Sequence, residues 1–106
     1  MQGYWQNYID GAWVDGGAGR LTVVDPGSGA PLAEQALADA ADMDRAVQAA
    51  RRVHLSGALT AMRPVERGRM VQAIGQYLTE HAEEIAAVLT AEQGKPLWEA
   101  RIEVAG

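Results

Sequence analysis

Cysteine is absent from the 106 residues, which excludes both a disulfide framework and a thiolate nucleophile within this chain. Basic residues are scarce: nine Lys and Arg stand against fourteen Asp and Glu, for a net charge of −5 and a pI near 4.9. A phosphate backbone or an anionic membrane surface would be repelled, so neither nucleic acid nor membrane is an expected partner. No apolar run approaches the roughly 20 residues of a membrane span. Met1-Gln2-Gly3-Tyr4-Trp5 has neither the basic start nor the apolar core of a secretory signal. Glycine at position 3 rather than 2 removes the myristoylation pattern. The location these absences imply is the cytoplasm.

What is present is an ordinary globular composition, 48% hydrophobic and 22% charged, in a length that allows one domain at most. The first third reads as β and the remainder as helix. Tyr8-Ile9 and Ala12-Trp13-Val14 flank Asp10-Gly11, a dipeptide that tolerates the positive φ angles of a two-residue type I′ turn. Gly16-Gly17-Ala18-Gly19 reads as a flexible connector. Leu21–Val24 reads as a strand with Leu21 and Val23 on one face, Pro26, Gly27 and Gly29 as a reversal, and Leu32–Leu37 as the returning strand.

Asp39 is placed to cap a first helix whose Asp42 lies in the first turn. Met43, Ala46, Val47, Ala50, Val53 and His54 follow the i, i+3, i+4 rule, and Ser56-Gly57 ends the helix. Pro64 opens a second helix with Val71, Ile74 and Leu78 as its apolar stripe and Arg67 expected to face out. A third covers His81–Gln93, with Ala82, Ile85, Ala86 and Leu89 on its apolar side and Gly94 as left-handed cap. Pro96 starts a fourth, whose Leu97, Ala100 and Val104 share a side. That last helix meets no stop signal before Gly106, so the sequence reads as an incomplete part of a longer chain. The division expected is a β-hairpin region over 4–37 and a helical region over 39–106, both within one domain portion, 1–106.

Several chemistries fail on spacing. A P-loop needs a glycine five residues before Gly94 and Ser or Thr after Lys95; Leu89 and Pro96 occupy those places. Gly94-Lys95 therefore reads as a helix cap followed by an exposed lysine. Gly16-Gly17-Ala18-Gly19 precedes a strand, where a dinucleotide fingerprint requires a helix. Gly27-Ser28-Gly29 lacks the spacing of a nucleophile elbow. His54 reads as a partly buried packing residue. His81 and Glu84 form an i, i+3 pair without a third ligand, which suits a helix surface rather than a metal site. Trp5, Trp13 and Trp98 read as packing anchors. No residue presents itself as catalytic or cofactor-binding.

Five segments, taken in order, carry a resemblance. Tyr8-Ile9-Asp10-Gly11-Ala12-Trp13-Val14, Val23-Val24-Asp25-Pro26-Gly27-Ser28-Gly29, Asp42–Arg51, Arg63-Pro64-Val65-Glu66-Arg67 and Glu92-Gln93-Gly94-Lys95-Pro96-Leu97 together resemble the opening of the NAD(P)-dependent aldehyde dehydrogenase superfamily. The second segment departs from the family in having Asp for Asn and Ser for Thr, and Leu59 stands where relatives usually place a tryptophan. The stretch Glu92–Leu97 followed by Glu99-Ala100-Arg101 looks most like the semialdehyde-oxidising branch, such as succinate-semialdehyde dehydrogenase.

The resemblance implies an α/β fold, with β-hairpins and three to four helices at the periphery of a Rossmann-like cofactor-binding domain. It implies oxidation of an aldehyde to a carboxylic acid through a cysteine thiohemiacetal, with hydride passing to NAD or NADP. The family's nucleophile, general base and cofactor contacts lie outside the matched segments. This chain alone is therefore expected to be inactive and to bind no cofactor. The partners implied are the rest of the polypeptide, a small-molecule aldehyde and further copies in a homo-oligomer. A monovalent cation, held in the family by a carbonyl before the Asn-Pro turn and by an acid before Gly-Lys-Pro, would fall on Val24 (or Val23) and Glu92. Two alternatives remain open: a non-enzymatic helical interaction module derived from such an enzyme, and a segment of a CoA-acylating relative.

Overall fold

A computed structural model describes residues 3–106. In chain order the elements are β1 (Tyr4–Trp5), β2 (Asn7–Ile9), β3 (Ala12–Val14), β4 (Arg20–Val24), β5 (Pro31–Ala36), α1 (Ala40–Ser56), α2 (Pro64–Glu80), α3 (Ala82–Gln93) and α4 (Leu97–Ala105). The α/β class follows. The strands form a three-stranded sheet ordered β1-β5-β4 and a separate β2-β3 hairpin.

Tertiary contacts divide the chain into two units that do not follow the β-to-helix boundary. Among the described residues, one holds 3–23 together with Ala33–Met62; the other holds Val24–Leu32 together with Arg63–Gly106.

In the first unit, the hairpin turns as its sequence dictates. Asp10 and Gly11 sit at φ 54° and 80°, the two positive values of a type I′ turn. Tyr8 and Trp13 face each other across the strands with ring centroids 5.0 Å apart. Asp10 at the tip accepts a 2.7 Å bond from Arg52 of α1. β1, which hydropathy does not announce, is two residues long and runs parallel to β5, pairing Tyr4 with Glu34 and Trp5 with Gln35. Arg20 ties these strands from the side: its guanidinium bonds Glu34 at 3.0 Å and stacks 3.8 Å above the Tyr4 ring.

The Gly16–Gly19 segment is a packed joint, not the flexible connector its composition suggests. The Ala18 amide donates to the Leu37 carbonyl, and the Gly19 amide donates to Gly16. A Cβ on Gly16 would overlap the Leu37 backbone, and one on Gly17 would overlap the Asp39 carboxylate. The same joint feeds α1. Asp39 and Asp42 form a reciprocal capping box, each side chain accepting from the other's amide at 2.9–3.0 Å. Gly17 donates a second backbone bond to the Asp42 carboxylate at 2.7 Å. Asp42 is only 2% exposed, and these N–H bonds, Gly17's first and Asp39's next, hold its carboxyl below the usual range; Arg45 adds to them. Gly57 closes α1 in the left-handed conformation at φ 72°.

In the second unit, α3 and α4 pack most closely. Ala86 and Ala100, both fully buried, let the two helices approach. Arg101 grips Glu83 with both arms, at 2.8–3.2 Å. Both side chains are more than half exposed, so this fork aligns the helices more than it stabilises them. Glu83→Gln is accordingly expected to leave the melting temperature of the chain almost unchanged, as a thermal melt in low and high salt would check.

The buried apolar residues among those described are Ala33, Ala36, Ala86 and Ala100, all alanines. Twenty large apolar side chains stand between 37% and 70% exposed. The α1 face led by Met43, Val47 and Val53 is one example, and the α2 stripe of Val71, Ile74 and Leu78 is another. Arg67, expected outside, is half-buried. Trp5, Trp13 and Trp98 are 54%, 64% and 60% exposed, so they do not anchor a core here. The accessible surface totals 7830 Å². A self-contained monomer of this mass would leave roughly 5,700 Å². The faces that periodicity marks as apolar on α1 and α2 thus stand largely exposed among the described residues.

Candidate functional site

The segment with the most specific sequence signal, Glu92–Leu97, is a joint between two helices. Gly94 caps α3 at φ 73°, its amide donating to Thr90 at 2.9 Å. Pro96 then serves as the N-cap of α4, its carbonyl accepting from Glu99 and Ala100 at 3.0 and 3.1 Å. Lys95 between them is not the exposed lysine expected. Its side chain is 23% exposed and pairs with Glu103 two turns along α4, which removes it as a free cation. Lys95 precedes the N-cap of α4 while Glu103 lies within that helix, so helical spacing could not reveal the pair.

The reversal Asp25–Ala30 lies against this joint. A Cβ on Gly94 would come within 2.9 Å of the Pro26 ring, so glycine is needed there for close approach as well as for its φ. Asp25 organises the reversal, accepting amide bonds from Gly27 at 2.7 Å and Ser28 at 3.3 Å. Those bonds, Gly27's foremost, lower its carboxyl from the ordinary range. The serine and aspartate that depart from the family pattern both have work here: Ser28 Oγ accepts from Ala30 at 3.3 Å. Val24 ends β4 immediately before this turn, half exposed. Glu92 lies in the last turn of α3, exposed, its carboxylate without a hydrogen-bond or ion-pair partner among the described residues. The Pro26–Gly94 contact thus joins the segments that carry Val24 and Glu92. Thr90 Oγ1 nearby in sequence is buried and unpartnered.

The histidines lie elsewhere. His54 is exposed rather than partly buried, because its α1 face lacks a cover. It lines a shallow cavity of about 510 Å³ with Ala50, Val53, Leu59 and the hairpin tip. The one carboxylate on that cavity, Asp10, is already bonded to Arg52. His81 stacks on Tyr77 at 4.1 Å and approaches Glu84 at 3.4 Å, a helix-surface pair as expected. No group of three or more His, Cys, Asp or Glu that would hold a metal occurs among the described residues. No helix among them is long and apolar enough to cross a membrane.

Comparison with known proteins agrees with this architecture. The profile of the aldehyde dehydrogenase family matches residues 13–106. The chain belongs to the aldehyde dehydrogenase family. It is 42% identical over 104 residues to N-succinylglutamate 5-semialdehyde dehydrogenase of Chromohalobacter salexigens, a match covering 98% of this chain and 21% of the relative. The Burkholderia mallei protein of the same name is 43% identical over 98 residues, 92% of this chain and 20% of that one. Among solved structures, an NAD-dependent aldehyde dehydrogenase from Sinorhizobium meliloti superposes with a TM-score of 0.92 at 31% identity, covering 99% of this chain and 21% of that one. Betaine aldehyde dehydrogenase from Staphylococcus aureus in complex with NAD+ gives 0.90 at 30% identity, over 93% and 20%. The chain therefore spans about a fifth of the length of the relatives it matches.

Proposed function

We propose that this chain forms about one fifth of an NAD(P)-dependent aldehyde dehydrogenase that oxidises an aldehyde of the semialdehyde class to a carboxylic acid. The observation that carries the reading is the match to the family over 13–106, with the helix joint at Gly94 and the Asp25 reversal packed together. The 40–43% identity to enzymes named for a semialdehyde supports the substrate class. Covalent aldehyde oxidation needs a nucleophile, and a chain without cysteine supplies no thiolate. The role of these residues is architectural: they set out helices and hairpins on which a catalytic site is supported. The complete enzyme would act in the cytoplasm, in more than one copy.

Two measurements test this. The purified chain is expected to give no binding heat on titration with NAD or NADP and no turnover of propanal; turnover would refute the assignment. In the converse experiment, residues 1–106 replace the matched segment of the Chromohalobacter relative. The chimera is expected to oxidise its semialdehyde with NAD, and a soluble, folded but inactive chimera would count against the reading.

The monovalent cation would rest on the Val24 carbonyl and the Glu92 carboxylate, oxygen donors that suit a hard ion. The unpartnered Glu92 carboxylate, on a segment held against the turn that follows Val24, fits that role. Bound there, a cation would supply charge neutralisation and fix this joint. Adding sodium or potassium is expected to raise the thermal midpoint of the chimera by several degrees, and Glu92→Gln to remove most of that rise. An unchanged rise in the variant would sink the assignment.

A further inference from the structure

The chain carries eight arginines and a single lysine, Lys95, which is therefore its only side-chain amine. The distinction is chemical. A guanidinium stays protonated and offers no lone pair to an aldehyde, whereas a lysine amine forms Schiff bases with carbonyl compounds. Lys95 lies between two constrained residues. Gly94 before it is fixed at φ 73° as the α3 cap, and Pro96 after it disfavours helical backbone at Lys95. From that joint Nζ reaches the Glu103 carboxylate, and the lysine side chain is left 23% exposed. Glu103 is 54% exposed, so the pair contributes little to stability. Its effect falls instead on what Nζ can react with.

We propose that Lys95 is the side-chain site of aldehyde adduct formation on this chain, and that its ion pair with Glu103 restrains the reaction. The proposal rests on the function argued above, since an enzyme that oxidises aldehydes works in the presence of this class of reagent. In the step, the Nζ lone pair adds to the aldehyde carbon to give a carbinolamine. Loss of water then leaves a C=N bond, the two remaining Nζ hydrogens departing with the former carbonyl oxygen. Nζ attacks only after it has given its third proton to solvent and left the Glu103 carboxylate. Both requirements slow a lysine that is paired and mostly covered, compared with one that extends freely into water. The neutral imine has no N–H left to donate, so an adduct ends the pair and releases Glu103 from the joint.

The test treats the chimera with propanal and cyanoborohydride, without NAD, and follows alkylation at Lys95 by peptide mass spectrometry. Lys95 in the native protein is expected to react about five-fold or more slowly than in the same protein unfolded in urea. Glu103→Gln keeps the side chain's size and removes its charge. It is expected to raise the native rate at Lys95 about three- to five-fold, the upper range for a part-exposed ion pair. Rates at the other lysines of the chimera should not change, and circular dichroism checks that helicity is kept. The same comparison on the 106-residue chain provides the measurement if the chimera is insoluble. A native rate equal to the unfolded rate overturns the proposal, and so does an unchanged rate in the variant. Labelling is read without turnover. An inactive chimera with a restrained Lys95 therefore counts against the functional reading alone, and an active one with an unrestrained Lys95 against this proposal alone.

Discussion

Gly16→Ala is expected to be severely destabilising. An alanine Cβ at this position would sit 2.6 Å from the Leu37 amide nitrogen and closer still to its carbonyl group. The obstruction is backbone, so no rotamer change relieves it. Leu37 is itself fixed, donating to Gly19 and accepting from Ala18 at 2.9 and 3.0 Å. Relief requires moving the whole joint away from the end of β5, which also removes Gly17 from Asp42. A cost of about 3 kcal/mol is expected, the upper range for overpacking where the surroundings cannot yield. Gly68→Ala is the matched control. It lies inside α2 with open space at the Cβ position, and is expected to stabilise by about 0.5–1 kcal/mol. Urea unfolding followed by circular dichroism, in the chain or in the chimera, should move the midpoint in opposite directions for the two. Equal, small shifts would mean that the Gly16 joint is loose.

The second large effect concerns Asp42, through both substitution and pH. Two backbone amides, from Gly17 and Asp39, converge on one of its oxygens, and Arg45 takes the other. Asp42→Ala leaves those amides without their acceptor in a part-buried position and opens the α1 cap, so it should lower the unfolding midpoint far more than loss of any exposed carboxylate. Asp42→Asn keeps one acceptor oxygen and should fall between. The sign of the pH effect follows from the lowered carboxyl. The folded state favours the ionised form, so the stabilisation is fully present above the unfolded value of about 3.9 and is lost as pH falls through the lower folded value. Asp15, lowered chiefly by Gln6 and then Tyr4, acts with the same sign in the same unit. Stability of the native chain is therefore expected to drop steeply below about pH 4. Asp42→Asn should flatten much of that slope. An unchanged slope would locate the acid sensitivity elsewhere.

What can be read from sequence is whatever is decided locally. The Asp10-Gly11 turn, the Asp39 cap and the Gly57 and Gly94 terminators each depend on residues a few positions apart, and each stands where spacing puts it. The Gly16–Gly17 joint is illegible because its partners, Leu37 and Asp39, lie about twenty residues on. A glycine that allows close approach looks the same in sequence as one that confers looseness. β1 escapes notice for a related reason. Two residues carry no periodicity, and its parallel partner β5 is thirty positions away. Lys95 reads as exposed because its ion pair crosses a helix cap. The candidate cation segments are suggested by family resemblance alone. No rule of spacing brings Val24 and Glu92 to attention, and the observation that their neighbours Pro26 and Gly94 touch is structural.

The interleaving of the two units has a consequence for synthesis on the ribosome. The Pro26 reversal emerges early, but the Gly94 turn it packs against is made 68 residues later. At ordinary elongation rates that interval lasts roughly 3 to 14 s. During it, the nascent strands on either side of the reversal can settle with α1 while the reversal waits without its neighbour. A slow stretch of codons between these two points would lengthen the exposure, and a trigger-type chaperone would find the Pro26 reversal within reach for that time.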